Sequence, residues 1–219
     1  MRVLDKQGIF KAYEEMRDEE ASRKMALYMK DNFKFLGINK KKRERINKKF
    51  FSTIILKESI DWEFVKECFR KEEREFQYLA MDYILFLKEL LKPDDIYIIE
   101  KLIVNKPWWD VNDYIGEIVG YLFNRYRKVR SRIFVWIDDQ DIWCKRVALS
   151  CQNKLKEKTD TELLSRAILH NAYSKEFIID KAIGVALKEY SKYNKEWVKD
   201  FLDNHYLSSL SRREAKRYL

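Results

Sequence analysis

The chain has 219 residues with only five glycines and two prolines, and 45 lysines and arginines exceed 36 aspartates and glutamates to give a net charge of +9. So few turn-forming residues disfavour an all-β fold, which needs many tight turns, and favour an all-α protein. The excess of positive charge favours a polyanionic partner and is no guide to the fold.

Several classes of protein are disfavoured by features that the sequence lacks. It has no apolar run of about 20 residues, no signal-peptide pattern near Met1 and no lipidation motif, so we predict a cytoplasmic protein with no membrane partner. The three cysteines form no C-x-x-C pair and the two histidines lie far apart, which disfavours a structural zinc site. Buried, reduced thiols are expected, and no metal or other cofactor is predicted.

The first third of the chain is predicted to be helical, with a change of charge along it. Residues 10–24 have helical spacing and many acidic side chains, whereas residues 39–50, "NKKKRERINKKF", concentrate lysine and arginine. Asp61, before "WEFVKECF", has the position and the side chain of a helix N-cap. Apolar residues then recur with the 3.6-residue period over 76–91, which predicts a further helix.

The rest of the chain continues the helical pattern. Apolar side chains recur at helical spacing in residues 95–104, 114–123 and 177–190. The predicted helix starts in this part are Asp94, Asp141 and Thr159. Strand-like alternation followed by hairpin turns does not occur in the sequence, so the pattern again predicts an all-α protein.

Aromatic residues mark a repeat in these helices. The markers open alternate helices and are separated by 33, 34 and 34 residues (109−76, 143−109, 177−143); they are Phe76, Trp109, Trp143 and Phe177. This period, with two helices in each unit, is typical of an α-solenoid. We therefore predict one domain of HEAT-like helical repeats over residues 1–219. Equivalent helices would stand side by side and form a concave, basic surface.

The stretch "NKPWWDVND", residues 105–113, concentrates two tryptophans and two aspartates at one of these helix starts. In a structural interpretation, Asp110 caps the helix and Asp113 stabilises its first turn, while Trp108 and Trp109 anchor the core. In a functional interpretation, Trp109 and Asp113 lie on one helix face because they are four residues apart. Spacing alone leaves both interpretations open.

The next repeat adds a cation at the equivalent place. Trp143 and Arg146, in "DIWCKRVAL", bring an arginine onto the neighbouring helix. Aromatic, carboxylate and guanidinium groups together form a site that can hold phosphate, sugar and a developing cation. Each of three basic runs, 39–50, 124–132 and 211–219, taken alone is explained by a solvated helix face, but together they fit a surface that follows phosphates. The nucleic-acid-binding candidates in these runs are Arg125, Arg127, Arg212 and Arg213.

Several stretches resemble one protein family. "WWDVND", "DIWCKRVAL" and "SKEFIIDKAIGVALKEYSK" resemble motifs of the HEAT-like-repeat alkylpurine DNA glycosylases, the AlkD family of DNA alkylation repair proteins. The resemblance extends over nearly the whole chain. It implies a monofunctional enzyme that hydrolyses the N-glycosidic bond of N3- and N7-alkylated purines in double-stranded DNA, with no cofactor. It also implies that the base is not flipped out, in contrast to the usual strategy of glycosylases.

The resemblance also assigns roles by position. The catalytic pair of the family, a tryptophan and an aspartate four residues later, falls on Trp109 and Asp113, and its W-x-x-R arginine falls on Arg146. The carboxylate would stabilise positive charge on the sugar and align water, while the arginine would hold a phosphate. The further positions expected to contact DNA are Trp108, Trp143, Lys181 and Val185.

One of these positions departs from the family pattern. Where the family often has a second sugar-facing tryptophan in K-A-I-G-W, this sequence reads "KAIGV" and has Val185. Loss of one aromatic wall would cost on the order of ten- to thirtyfold in rate, from the strength of cation–π contacts. An alternative hypothesis is therefore a divergent DNA-binding paralogue that lacks base excision. A third is a helical scaffold for a protein partner. In both DNA-binding hypotheses we expect a monomer on damaged double-stranded DNA.

Overall fold

The computed structural model describes residues 4–54 and 59–219. Within these ranges the chain forms thirteen α-helices and four short 3₁₀ helices, and it contains no β-strand. The prediction of an all-α, helical-repeat fold is confirmed. By Cα proximity the chain divides into two compact units, Met1–Leu91 and Lys92–Leu219.

Five α-helices form the described part of the first unit. They are α1 (Lys6–Glu14), α2 (Glu19–Tyr28), α3 (Lys40–Phe51), α4 (Trp62–Arg70) and α5 (Arg74–Phe86). Asp61 caps α4 as predicted, because its carboxylate accepts the N–H of Phe64 at 3.0 Å. The helix predicted over 76–91 ends earlier, since Leu87 leaves the helical conformation and a 3₁₀ turn, Lys88–Leu90, follows.

Eight α-helices form the second unit. They are α6 (Ile96–Ile103), α7 (Trp109–Arg125), α8 (Val129–Ile137), α9 (Ile142–Ser150), α10 (Thr161–Asn171), α11 (Phe177–Ser191), α12 (Lys195–Asn204) and α13 (Ser209–Ala215). Asp141 caps α9 as predicted. The predicted starts at Asp94 and Thr159 are each one residue early, because a 3₁₀ turn, Pro93–Asp95, precedes α6 and Asp160 caps α10.

The predicted repeat orders the second unit. Trp109 and Phe177 are the first residues of α7 and α11, and Trp143 is the second residue of α9. Side-chain hydrogen bonds join positions about one repeat apart, between Arg132 and Glu100, between His170 and Asp138, and between Arg146 and Asp113. Because α7 packs on α9 and α9 on α11, with bonds between matching positions, these helices begin at one edge of the unit.

Two glycines allow equivalent helices to approach closely. A Cβ at Gly120 in α7 would lie 2.0 Å from the carbonyl oxygen of Cys151, directly after α9. A Cβ at Gly184 in α11 would lie 2.5 Å from Cβ of Glu214 in α13. No side chain fits at either distance, so glycine is required where these helices pack.

Candidate functional site

An ion pair joins the starts of α7 and α9. Asp113 accepts a hydrogen bond from Nη2 of Arg146 at 2.6 Å, and Nη1 of the arginine donates to the carbonyl of Ile178 in α11 at 3.3 Å. The arginine side chain is 10% exposed, whereas that of Asp113 is 52% exposed. The buried guanidinium therefore links the first two turns of three helices and leaves a carboxylate facing solvent.

The tryptophans predicted at the site stand at the same helix starts. The rings of Trp108 and Trp143 lie 5.9 Å apart between centroids, tilted by 42°. Both are partly exposed, as is Trp109, which lies one helical turn before Asp113 on the same face of α7. The structure thus brings together the three predicted catalytic residues, including Arg146, and the two neighbouring indoles.

Asp110 does not cap α7, so this part of the structural interpretation is wrong. Trp108 occupies the N-cap position in an extended conformation, and its carbonyl accepts the backbone N–H of Asn112 at 3.1 Å. The buried Asn112 amide also donates to that carbonyl at 3.2 Å and to the carbonyl of Ile103 at 3.4 Å. Asp110 is instead the second residue of α7 and is buried.

The pKa of Asp113 is raised above that of an ordinary aspartate. The largest cause is loss of hydration beside the packed helix starts, even though part of the side chain meets solvent; the negative charge of Asp110 adds to it. The charge and hydrogen bond of Arg146 lower the pKa of the same carboxyl. Ionisation of Asp113 therefore depends on Arg146.

Arg146 is engaged with the protein on both terminal nitrogens. Its Nη groups donate to Asp113 and to the Ile178 carbonyl, and its buried Nε has no hydrogen-bond partner among the described residues. In this arrangement the guanidinium first of all orients Asp113. Because Nε is buried and both terminal nitrogens donate to the protein, the predicted phosphate contact requires the ion pair to rearrange.

A second ion pair occupies the equivalent positions two repeats further along the chain. Nζ of Lys181 in α11 lies 2.7 Å from Oε1 of Glu214 in α13, and both pairs span 33 residues (146−113, 214−181). In this pair the anion is the buried partner and the cation is the more exposed one, since the Lys181 side chain is 37% exposed and that of Glu214 is 2% exposed. The hydrogen bond from Lys181 is the main cause that lowers the pKa of Glu214. This pair leaves an ammonium facing solvent.

Val185 lies one turn after Lys181 on α11 and is partly exposed. It follows Gly184, at the close approach of α11 and α13. A valine side chain offers no aromatic face to a nucleotide, so this position does not supply the indole that the family pattern has.

The remaining predicted cations lie away from the Asp113–Arg146 pair. Arg125 is twelve residues after Asp113, about 18 Å along the axis of α7, and its guanidinium donates to the hydroxyls of Tyr121 and Tyr126 at 3.1 Å. Arg127, just beyond α7, is exposed. At the C-terminal end, Arg213 is exposed, whereas Nη2 of Arg212 donates to the carbonyls of Leu202 and His205 at 2.6 and 2.9 Å.

Sequence reasoning missed Glu214, although the repeat contains the signal. One period of 34 residues after Phe177 reaches Ser211 (211−177), and the position three residues later, equivalent to Arg146, is Glu214. No aromatic residue marks this place in the short helix α13. An extension of the register beyond the last aromatic marker would have found it.

No metal site accompanies these pairs in the part of the chain that the structure describes, because no three His, Cys, Asp or Glu side chains there are placed to hold an ion. All three cysteines are buried, free thiols. Burial raises the pKa of Cys144 and of Cys151 to about 12. None of the described helices has the length and apolar character needed to cross a membrane.

Comparisons with known proteins agree with the resemblance found in the sequence. The family model for DNA alkylation repair enzymes matches residues 9–219. A solved structure described as a predicted DNA alkylation repair enzyme from Enterococcus faecalis is 32% identical, with a TM-score of 0.86, over 93% of this chain and 97% of that one. A search of curated proteins gave no significant match. Because the family model covers nearly the whole sequence, the chain belongs to the family of DNA alkylation repair enzymes.

Proposed function

We propose that the protein is a monofunctional DNA glycosylase that removes N3- and N7-alkylated purines from double-stranded DNA. The main support is the carboxylate of Asp113, which is half-exposed and is held by the buried guanidinium of Arg146 beside partly exposed indoles. Membership of a family of DNA alkylation repair enzymes supports alkylated DNA as the substrate.

The bond to be broken joins deoxyribose C1′ to purine N9. Alkylation at N3 or N7 gives the purine a positive charge, so the bonding electron pair leaves with the base, which departs as a neutral molecule. Positive charge then develops on the sugar. The carboxylate of Asp113 stabilises this charge and accepts a proton from the water that adds to C1′. The products are a free alkylpurine and an abasic site.

The neighbouring residues support this step in different ways. Arg146 is a positioning residue, because its charge favours the ionised form of Asp113 and its two donors fix the carboxylate relative to α11. The indoles of Trp109 and Trp143 attract the cationic nucleotide through their ring faces. Exposed cations, Lys181 among them, bind phosphates and set the position of the duplex.

A carboxylate exposed at helix starts can reach a sugar from outside the duplex. We therefore include in the proposal that the base is not flipped out. We also propose that a monomer acts on DNA in the cytoplasm and needs no metal or other cofactor.

Val185 favours one alternative, a DNA-binding member of the family that does not excise bases. If the reaction needs a second indole beside the sugar, Val185 does not supply one, and excision is lost. In that case the Asp113–Arg146 pair would stabilise the helix starts, and the cationic surface would bind DNA without chemistry.

Single-turnover release of 7-methylguanine from a duplex oligonucleotide separates these functions, with protein in excess and spontaneous depurination measured in parallel. Release far above the spontaneous rate is expected for the glycosylase. Release at the spontaneous rate, together with salt-dependent DNA binding, would establish the non-excising alternative for this lesion. Absence of DNA binding at low salt would exclude both and leave the protein scaffold.

A further inference from the structure

Two exposed tyrosines stack on each other at the edge where α11 begins. Tyr173 lies in the turn between α10 and α11, and Tyr206 lies in the turn between α12 and α13. Their ring centroids are 5.0 Å apart and their planes differ by 7°. The residues are 73% and 61% exposed. Side chains from two separate turns thus form a stack of two nearly parallel rings that is largely exposed to solvent, and each ring keeps its outer face for a further stacking partner.

This stack is not explained by packing of the core. Each tyrosine leaves more than half of its surface in water, and no hydrogen bond from either phenol hydroxyl to the described protein is present. Mutual stacking nevertheless holds the two rings in one orientation. A pre-ordered aromatic surface binds a ligand at a lower cost in conformational entropy than two mobile side chains do.

The separation of the two tyrosines also matches the repeat length. They are 33 residues apart (206−173), the same separation as within the two ion pairs. Tyr173 lies four residues before Phe177, whose neighbour Ile178 accepts a hydrogen bond from Arg146. The stack therefore stands at the same edge as Asp113, two helix spacings from α7. At 8–10 Å for each spacing, this is roughly 16–20 Å, or about five base-pair rises of 3.4 Å.

We propose that Tyr173 and Tyr206 form a stacking platform for an unpaired nucleobase of the bound DNA, an inference that rests on the proposed function in requiring DNA as the partner. Paired bases inside a duplex do not expose their faces, whereas an unpaired base offers a flat π-surface of matching size. The net charge of +9 supports a nucleic acid as the partner, and the ammonium groups of exposed Lys175 and partly exposed Lys181 follow Tyr173 by two and eight residues. The platform thus recognises DNA in which a single-stranded segment adjoins the duplex.

The test compares two DNA probes that contain the same lesion analogue. One is a blunt duplex, and the other changes to a single strand about five nucleotides from the lesion analogue, with 2-aminopurine as the first unpaired base. We expect the junction probe to bind at least about fivefold more tightly, since stacking of one base on an aromatic side chain has that effect. We also expect quenching of 2-aminopurine fluorescence on binding.

Substitutions assign the preference to the platform. Tyr173→Ala and Tyr206→Ala should each remove the preference and the quenching, while affinity for the blunt duplex and its salt dependence stay the same. Tyr173→Phe should retain both signals, because the ring is kept. Tyr193→Ala, which removes an exposed tyrosine beyond the opposite end of α11, is the matched control and should have no effect.

The possible failures can be told apart. Equal binding of both probes by the unaltered protein, or a preference that persists in both alanine variants, would overturn the platform and leave the proposed function intact. If neither probe binds to the protein at low salt, both the platform and the proposed function are overturned.

Discussion

Two ion pairs of the second unit, Asp113–Arg146 and Lys181–Glu214, occupy the same place in the repeat and expose opposite charges. In the first pair, Arg146 is buried and Asp113 faces solvent; in the second, Glu214 is buried and Lys181 faces solvent. In both pairs the hidden partner fixes the orientation of the exposed one across neighbouring helices. Inversion of a salt bridge thus lets one helical scaffold offer an anion at one position and a cation at another.

This difference matches two tasks on one polyanionic substrate. A carboxylate suits the place where positive charge develops on a sugar, and an ammonium suits a phosphate. A carboxylate at every repeat would repel the DNA backbone, whereas a lysine at every repeat would leave no group to stabilise the cationic sugar. We infer that the first pair serves the chemistry and that the second serves binding.

The largest effect is expected from the loss of the exposed charge of the first pair. Asp113→Asn keeps the shape of the side chain and an acceptor for Arg146, but it removes the negative charge. Excision should fall by about a hundred- to a thousandfold, while DNA affinity should hold or rise because repulsion of phosphates is lost. Single-turnover release and fluorescence anisotropy measure the two quantities.

Asp180→Asn in α11 is the matched control for this variant and should excise at the normal rate. Normal excision by Asp113→Asn would remove the carboxylate from the mechanism.

The excision rate is expected to rise when an aromatic side chain is restored at position 185, near the second pair. Val185→Trp should raise excision by on the order of ten- to thirtyfold if one cation–π contact limits the rate. Val185→Leu adds bulk without an aromatic face and should produce no gain. Equal rates for the tryptophan and leucine variants in the same single-turnover assay would show that the aromatic wall is not limiting.

The pH dependence of excision tests the link within the first pair. The charge of Arg146 lowers the pKa of Asp113, so Arg146→Gln should raise that pKa and keep the carboxyl protonated to a higher pH. The acidic fall in the excision rate should therefore begin at a higher pH, and on the acidic side of the profile the variant should excise roughly tenfold more slowly than the unaltered protein. Arg146→Lys retains the charge and should move the profile less. Identical profiles for the glutamine variant and the unaltered protein would contradict this link.

The smallest effect is expected from the exposed cation of the second pair. Lys181→Gln should weaken DNA binding severalfold and reduce the slope of log affinity against log salt by about 0.9, the value for one phosphate contact. Lys192→Gln, just beyond the opposite end of α11, is the control. Equal slopes for these two variants would place Lys181 away from the phosphates.

Periodicity made much of the fold and part of the site predictable from the sequence. The spacing of Trp109, Trp143 and Phe177 placed the starts of three parallel helices, and the positions one turn later identified Asp113 and Arg146. Helix boundaries were less accurate where a 3₁₀ turn precedes a helix, because Asp and Thr residues near the start compete for the cap position.

Other features depend on tertiary contacts that periodicity does not encode. Spacing does not reveal which partner of an ion pair is buried, so the inversion between Asp113 and Lys181 was not predicted. Glu214 does follow the repeat, but its helix has no aromatic marker, so the register was not extended to it. The tyrosines Tyr173 and Tyr206 are also one repeat apart, but they lie in turns, and their spacing does not reveal that the two rings stack.

The most direct test of the division between the two pairs is to measure excision and the salt slope of DNA binding in parallel for Asp113→Asn and Lys181→Gln. Excision, measured at saturating protein, should be lost in the asparagine variant, whereas the slope of log affinity against log salt should not change in that variant. The glutamine variant should keep excision at saturating protein, and its slope should fall by about 0.9. Loss of the same quantity in both variants would contradict the division and would mean that the two pairs perform one task.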